Sequence, residues 1–179
     1  MDRNYPRVTV SKKCERFIKD GHIWVYHDEI RAIDGSYENG DIVDVMTEKG
    51  KYLGSGYIND HSKIRVRIIS KNANDTFDEA FYRRRIDYAI DYRMTVMGDD
   101  FSSCRLIFGE ADSFPGLTVD KFENVLVTQV LSLGVERIKE LLFRSLVEAL
   151  AQRGHRIDAI YERNDVKVRD LEGMEQYKG

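Results

Sequence analysis

The chain has 179 residues, 42% of them hydrophobic and 33% charged, with ten Tyr and eight Phe. That bulk suits one ordinary domain or two small ones and excludes a disordered polymer. No window approaches the roughly 18 consecutive apolar residues of a membrane span, and the start, MDRNYPRVTV, lacks the apolar core of a secretion signal, so the expected setting is the cytoplasm, away from any membrane.

A net charge of −3 argues at first against a nucleic-acid partner, but the charge is unevenly divided. Lys and Arg outnumber Asp and Glu by 13 to 11 in residues 1–73 and fall short by 15 to 20 in residues 74–179, so the first segment is the better match for phosphate.

Residues 7–73 read as a small β-rich barrel. A short basic helix is predicted near Ser11–Lys19, carrying Lys12, Lys13, Arg16 and Lys19; such cations more often meet only water, and RNA contact is the sharper reading. The segment Gly21-His22-Ile23-Trp24-Val25-Tyr26 holds the one Trp. Core packing outweighs a base-stacking role for Trp24, and His22 is ambiguous between the two. Turn signals at Asp34-Gly35, Asn39-Gly40 and Glu48-Lys49-Gly50 separate apolar runs at Ile42–Thr47, Tyr52–Asn59 and Ile64–Ser70. Alternation in the last run puts Lys63, Arg65 and Arg67 on one face and Ile64, Val66 and Ile68 on the other. Cations about 7 Å apart suit a phosphate backbone, but such a comb is more often the wet face of a strand.

Lys71–Asp75 is polar and aperiodic, and beyond it the hydrophobic period changes from 2 to 3.6, which places a domain boundary between residues 73 and 74. From an N-cap at Asp78 a long helix is predicted to about Met97, with Tyr82, Ile86, Ala89, Ile90 and Met94 at helical spacing and Gly98 as its stop. Strands are predicted at Cys104–Gly109, Leu117–Asp120 and Val125–Leu131, then a helix at Glu136–Gln152 and a strand at Ile157–Tyr161. That order suggests a right-handed crossover. Asp165–Gly179 reads as helix or loop.

Cys14 and Cys104 lie far apart without a CxxC, and His22, His27, His61 and His155 form no HExxH spacing, so no metal is assigned. Glu110 and Asp112 precede a Pro115-Gly116 turn without a third ligand, which favours a structural turn over acid-base or metal chemistry. Glu162-Arg163-Asn164-Asp165 reads as a charged interface in which Arg163 orients a carboxylate or phosphate. There is no GxGxxG after a strand and no P-loop; Gly54-Ser55-Gly56 sits between strands rather than opening a helix, so no nucleotide-type cofactor site is expected.

Taken in order, GHIWVYHDEI, GDIVDV, GKYLGSGYIN, SKIRVRIIS, RLIFGEADSFPGLTVD and YERNDVKVRDLEG resemble the bacterial PUA-containing large-subunit (23S) ribosomal RNA 5-methylcytosine methyltransferases. Ile23 stands where that family usually has Pro, and Ser113-Phe114 where it usually has Gly-Leu. The resemblance implies an α+β chain: an N-terminal PUA pseudo-barrel at 1–73 and a central α/β domain of β-β-α-β-β type at 74–179. A C-terminal Rossmann-like domain that binds S-adenosylmethionine would lie outside this chain. It implies structured ribosomal RNA as partner, with Lys12, Lys13, Arg16, His22, Lys63, Arg65 and Arg67 as RNA contacts. Glu110, Asp112, Arg163, Asp165 and Arg169 become contacts to other domains. In such enzymes a cysteine of the C-terminal domain adds to the cytosine ring. Neither Cys14 nor Cys104 resembles it, so this chain alone is expected to hold no catalytic residue, bind no cofactor and transfer no methyl group. Two other readings stay open: a free-standing PUA-type RNA-binding adaptor, and a protein-interaction or homodimerisation module built on the acidic second domain.

Overall fold

The structure is a computed structural model that describes residues 3–179. It divides into two compact units. The first takes the chain up to Asp75 and adds Leu171–Gly173; the second takes Thr76–Asp170 and Met174–Gly179. The division follows Asp75, at the end of the aperiodic Lys71–Asp75 stretch and two residues beyond the expected boundary, and residues 171–173, assigned by sequence to 74–179, pack into the first unit.

The first unit contains β1 (Arg7–Val10), α1 (Lys12–Lys19), β2 (Trp24–Tyr26), β3 (Ile30–Asp34), β4 (Ile42–Thr47), β5 (Tyr52–Ile58) and β6 (Ile64–Ser70). They form one curled half-barrel sheet in the order β2-β6-β5-β4-β1-β3, in which β1 and β4 run parallel and the other neighbours antiparallel. Alternation drives Val43, Val45, Leu53, Val66 and Ile68 inward to meet Val8, Val10 and Val25, and Cys14 and Ile18 of α1 close the core. Ser11 starts that helix: its Oγ accepts from the Cys14 amide at 3.2 Å. At the other side of the sheet Asp44 is buried, holding the Ser55 hydroxyl at 2.5 Å and Arg3 Nε at 2.9 Å. The strands β4 and β6 lie where the apolar runs put them. The short strands β1, β2 and β3 offer too few residues for a period of two to stand out.

The second unit contains α2 (Glu79–Met97), β7 (Ser103–Phe108), β8 (Leu117–Phe122), β9 (Val125–Val130), α3 (Leu133–Gln152), β10 (Ala159–Asn164), the single turn α4 (Val168–Leu171) and β11 (Tyr177–Lys178). Its sheet runs β11-β10-β9-β8-β7, with β9 and β10 parallel on either side of α3 in sequence and all other pairs antiparallel. Three strands precede α3, at the positions the sequence predicts, and two follow it. Asp78 caps α2 as expected, its Oδ1 accepting from the Phe81 amide at 2.9 Å. The helix α3 begins three residues before Glu136 because the Ser132 carbonyl already accepts from the Glu136 amide at 3.0 Å. The tail predicted as helix or loop supplies β11, whose Tyr177 and Lys178 pair with Asn164 and Arg163.

Candidate nucleic-acid interface

The inward turn of Cys14 and Ile18, four residues apart, fixes what α1 shows to solvent. Lys12, Lys13, Arg16 and Lys19 are all exposed. Across from them the turn between β4 and β5, with Gly50 at φ +74°, presents Lys49 and Lys51. The result is a groove of about 460 Å³ lined by Lys12, Arg16, Lys19, Lys49 and Lys51, with Glu15 and Glu48 as its acids. A hydrogen bond from Lys19, aided by the charges of Lys49 and Lys51, holds the Glu15 carboxyl below its usual range. Its surroundings are therefore net cationic. Sequence reading found the helix but not Lys49 and Lys51; they lie some 30 positions away, and their only local signal was a turn.

The second expected patch is altered by folding. Lys63 precedes β6 and is exposed, but Arg65 is tied to the Asp60 carboxylate at 2.6 Å and carbonyl at 2.8 Å. Arg67 is 8% exposed and donates to Glu172 Oε1 at 2.7 Å. Ser62 Oγ donates to the same Oε1 at 2.5 Å, and Asn59 Nδ2 donates to Oε2 at 3.1 Å and to the Glu172 carbonyl at 2.9 Å. Of the three-cation comb only Lys63 is open. Arg65 is closed by a carboxylate five positions upstream, and Arg67 by one 105 positions downstream, invisible to any local pattern.

His22, by contrast, is exposed in a ring cluster. Its ring lies 5.8 Å from Trp24 and 6.4 Å from both Tyr26 and Phe17. Trp24 corrects the sequence reading: it is only half-buried, on the edge strand β2, while its neighbour Val25 takes the core position.

The charged candidates of the second unit separate into two groups. Asp112 is used at home: its Oδ2 accepts from Arg93 at 2.6 Å and from the Phe108 amide at 2.7 Å, which fixes the turn after β7. Arg169 is 2% exposed and donates to the Val130 and Glu175 carbonyls, both at 2.6 Å, and to Glu136 at 3.0 Å, so it braces its own unit and cannot reach outward. Glu110, Arg163 and Asp165 are exposed, the last two joined at 3.1 Å. Sequence reading missed a further cluster in which Lys139 meets Glu136, Glu162 and the Tyr177 hydroxyl; these partners outweigh the effect of burial and raise the ammonium's pKa. Among the described residues no group of three or more His, Cys, Asp or Glu is placed to hold a metal ion, and no helix is long and apolar enough to cross a membrane.

Residues 8–71 match the family model described as a PUA-like domain. This chain carries a PUA-like domain. Over 179 residues it is 33% identical to the ribosomal RNA large subunit methyltransferase I of Klebsiella pneumoniae, covering 99% of this chain and 44% of that protein. To the protein of the same name from Cronobacter sakazakii it is 37% identical over 174 residues, covering 97% and 43%. The chain thus spans less than half the length of these curated relatives, and the shared stretch is their N-terminal part. A solved structure described as a candidate SAM-dependent methyltransferase of Streptococcus mutans shares the fold, with a TM-score of 0.71 at 17% identity, over 88% of this chain and 40% of that one.

The Gly54-Ser55-Gly56 segment does not fit a cofactor cradle. Gly54 and Gly56 lie inside β5, and the space where a Cβ would stand at Gly56 is filled by the Arg67 carbonyl at 2.1 Å, so no cradle exists there. Nor do the cysteines of the PUA-like domain and its neighbour resemble nucleophiles. Burial, reinforced by Glu29, pushes the Cys14 thiol from its ordinary 9.0 up to about 12, and burial also raises Cys104. Because the unfolded thiol ionises first, Cys14 makes stability fall as pH rises from about 9 toward 12. We expect neither thiol to react with an aromatic disulfide reagent at pH 8 in native protein, and both to react in urea. Rapid native labelling of Cys14 would show that it is not sealed in the core.

Proposed function

We propose that the chain is the RNA-recognition and substrate-positioning portion of a longer SAM-dependent methyltransferase that acts on cytosine in large-subunit ribosomal RNA in the cytoplasm. One observation carries the reading: a PUA-like domain whose α1 and β4–β5 turn surround a single groove with exposed cations. The RNA-binding domain corresponds to residues 1–73, and the central α/β domain to 74–179. Lys12, Lys13 and Arg16 meet phosphates, with Lys19, Lys49, Lys51 and Lys63 extending the track. Such contacts fix register and orientation on a structured RNA without reading its sequence. Arg65 and Arg67, already neutralised, hold the sheet rigid behind that track. The exposed Glu110, Arg163 and Asp165 are offered to the catalytic domain of the longer protein. Cofactor binding and the nucleophilic cysteine belong to that domain, and the present chain by itself transfers no methyl group.

The test is a titration of a structured ribosomal RNA fragment at several salt concentrations. Replacing Lys12, Lys13 and Arg16 together by Gln is expected to lower the slope of log affinity against log salt by about 2 to 3, since each lost phosphate contact is worth roughly 0.7 to 0.9. Affinity near physiological salt should drop by at least about tenfold. Arg65→Gln, by contrast, should change the slope little. An unchanged slope in the triple variant, with normal thermal stability, would remove α1 from the interface.

A further inference from the structure

We infer that Phe17, His22, Trp24 and Tyr26 form a base-stacking platform for unpaired RNA nucleotides, beside the phosphate track of α1. The inference rests on the RNA-binding reading and goes beyond it, because phosphate contacts alone serve duplex and single strand alike.

Three features place the rings. Trp24 and Tyr26, two residues apart on β2, share one side of the strand while Val25 turns into the core, and His22, in the turn before β2, brings its ring within 5.8 Å of Trp24 and 6.4 Å of Tyr26. The His22 and Tyr26 rings lie within 26° of parallel, and Trp24 stands nearly edge-on to both, at 67° and 88°. The end of α1 then locks the cluster to the cationic helix. Gly21 sits at φ +106°, its amide donates to the Ile18 carbonyl at 3.2 Å, and the His22 amide donates to the Phe17 carbonyl at 2.9 Å, the two bonds of a Schellman motif. Phe17, carried on the last turn of α1, lies under Lys13 and Arg16, whose charges approach its ring to 5.6 and 5.9 Å. Ring faces and cationic side chains are therefore presented side by side, by the end of α1 and by β2, which this turn joins.

The exposure is informative in itself. Phe17, at the end of α1, is 37% exposed, Tyr26, on the edge strand β2, is 38% exposed, and His22, in the turn between them, is open. Four aromatic groups gathered at one solvent-facing site are more than the scattered apolar residues of an ordinary surface. The occupant is set by charge complementarity. Lys13 and Arg16 lie against the Phe17 ring, with Lys12 and Lys19 exposed on the same helix, and a flat, anionic, unstacked nucleic-acid strand supplies both a π face and a phosphate at each step.

The chain contains a single Trp, which makes the test direct. The intact protein is titrated with a short oligouridylate and with a blunt RNA duplex, following Trp24 fluorescence and, in parallel, the anisotropy of labelled RNA. We expect the oligouridylate to quench Trp24 and the duplex to bind with little quenching. Tyr26→Ala and His22→Ala should each weaken oligouridylate binding by roughly 5- to 100-fold, while Tyr26→Phe, which keeps the ring, should bind within about threefold of the parent. Tyr88→Ala, an exposed tyrosine on α2, serves as the control. Equal oligouridylate affinity in Tyr26→Ala, or binding without any change in Trp24 emission, overturns the platform and leaves the phosphate track standing. Failure of both RNAs to bind overturns both readings. Unaltered thermal unfolding of Tyr26→Ala confirms that a loss of binding reflects the missing ring.

Discussion

Replacing Glu172 by Ala is expected to lower the unfolding free energy of the first unit by about 3–5 kcal/mol, the usual cost of stranding one member of a buried ion pair. Glu172 is 2% exposed and satisfies three side chains at once: Arg67, Ser62 and Asn59. Without it, the Arg67 guanidinium remains inside at 8% exposure with its carboxylate gone. Urea unfolding followed by Trp24 fluorescence reads this directly, because Trp24 pairs in register with Arg67 on the adjacent strand. Replacing Arg67 and Glu172 together by Met should recover much of the loss, since apolar groups of similar size remove the stranded charge. A loss under about 1 kcal/mol in Glu172→Ala would mean that the pair behaves like a surface ion pair. The same geometry changes what removal of Arg67 would mean. Its substitution acts first on folding, and any effect on RNA affinity has to be read after stability is matched.

The second large effect is expected at Gly56. A Cβ there would stand 2.1 Å from the Arg67 carbonyl oxygen and 2.7 Å from the Ile68 Cα, backbone atoms that cannot swing aside. Gly56→Ala should therefore cost about 3 kcal/mol or more, near or above the upper end of ordinary overpacking, because β5 and β6 must separate where they pair. Gly50→Ala is the contrasting case. Nothing lies within 4 Å of its Cβ position, but φ is +74°, so only the backbone penalty of about 1 kcal/mol applies. Equal small losses at both sites, measured by thermal unfolding, would show that the half-barrel opens easily at β5.

The sequence alone was enough for every element whose signal is local. The apolar run of Ile42–Thr47 between its turn signals, the alternation of Ile64–Ser70, the Ser11 and Asp78 caps, and the helical spacing from Tyr82 to Ile90 each reflect interactions within a few residues, and the strands and helices stand where these put them. The basic face of α1 was legible for the same reason: two inward residues four apart force the cations outward. Tertiary structure decided the rest. It closed the Arg65 and Arg67 comb with Asp60 and with Glu172, it set Lys49 and Lys51 opposite α1, and it moved Trp24 from an expected core position to a half-open ring cluster. It also turned Arg169 inward, where a charged-interface reading had placed it at the surface. Charge written in a sequence gives no account of its counter-charge, because ion pairing acts through space between residues as much as 105 positions apart, while periodicity and capping act along the chain.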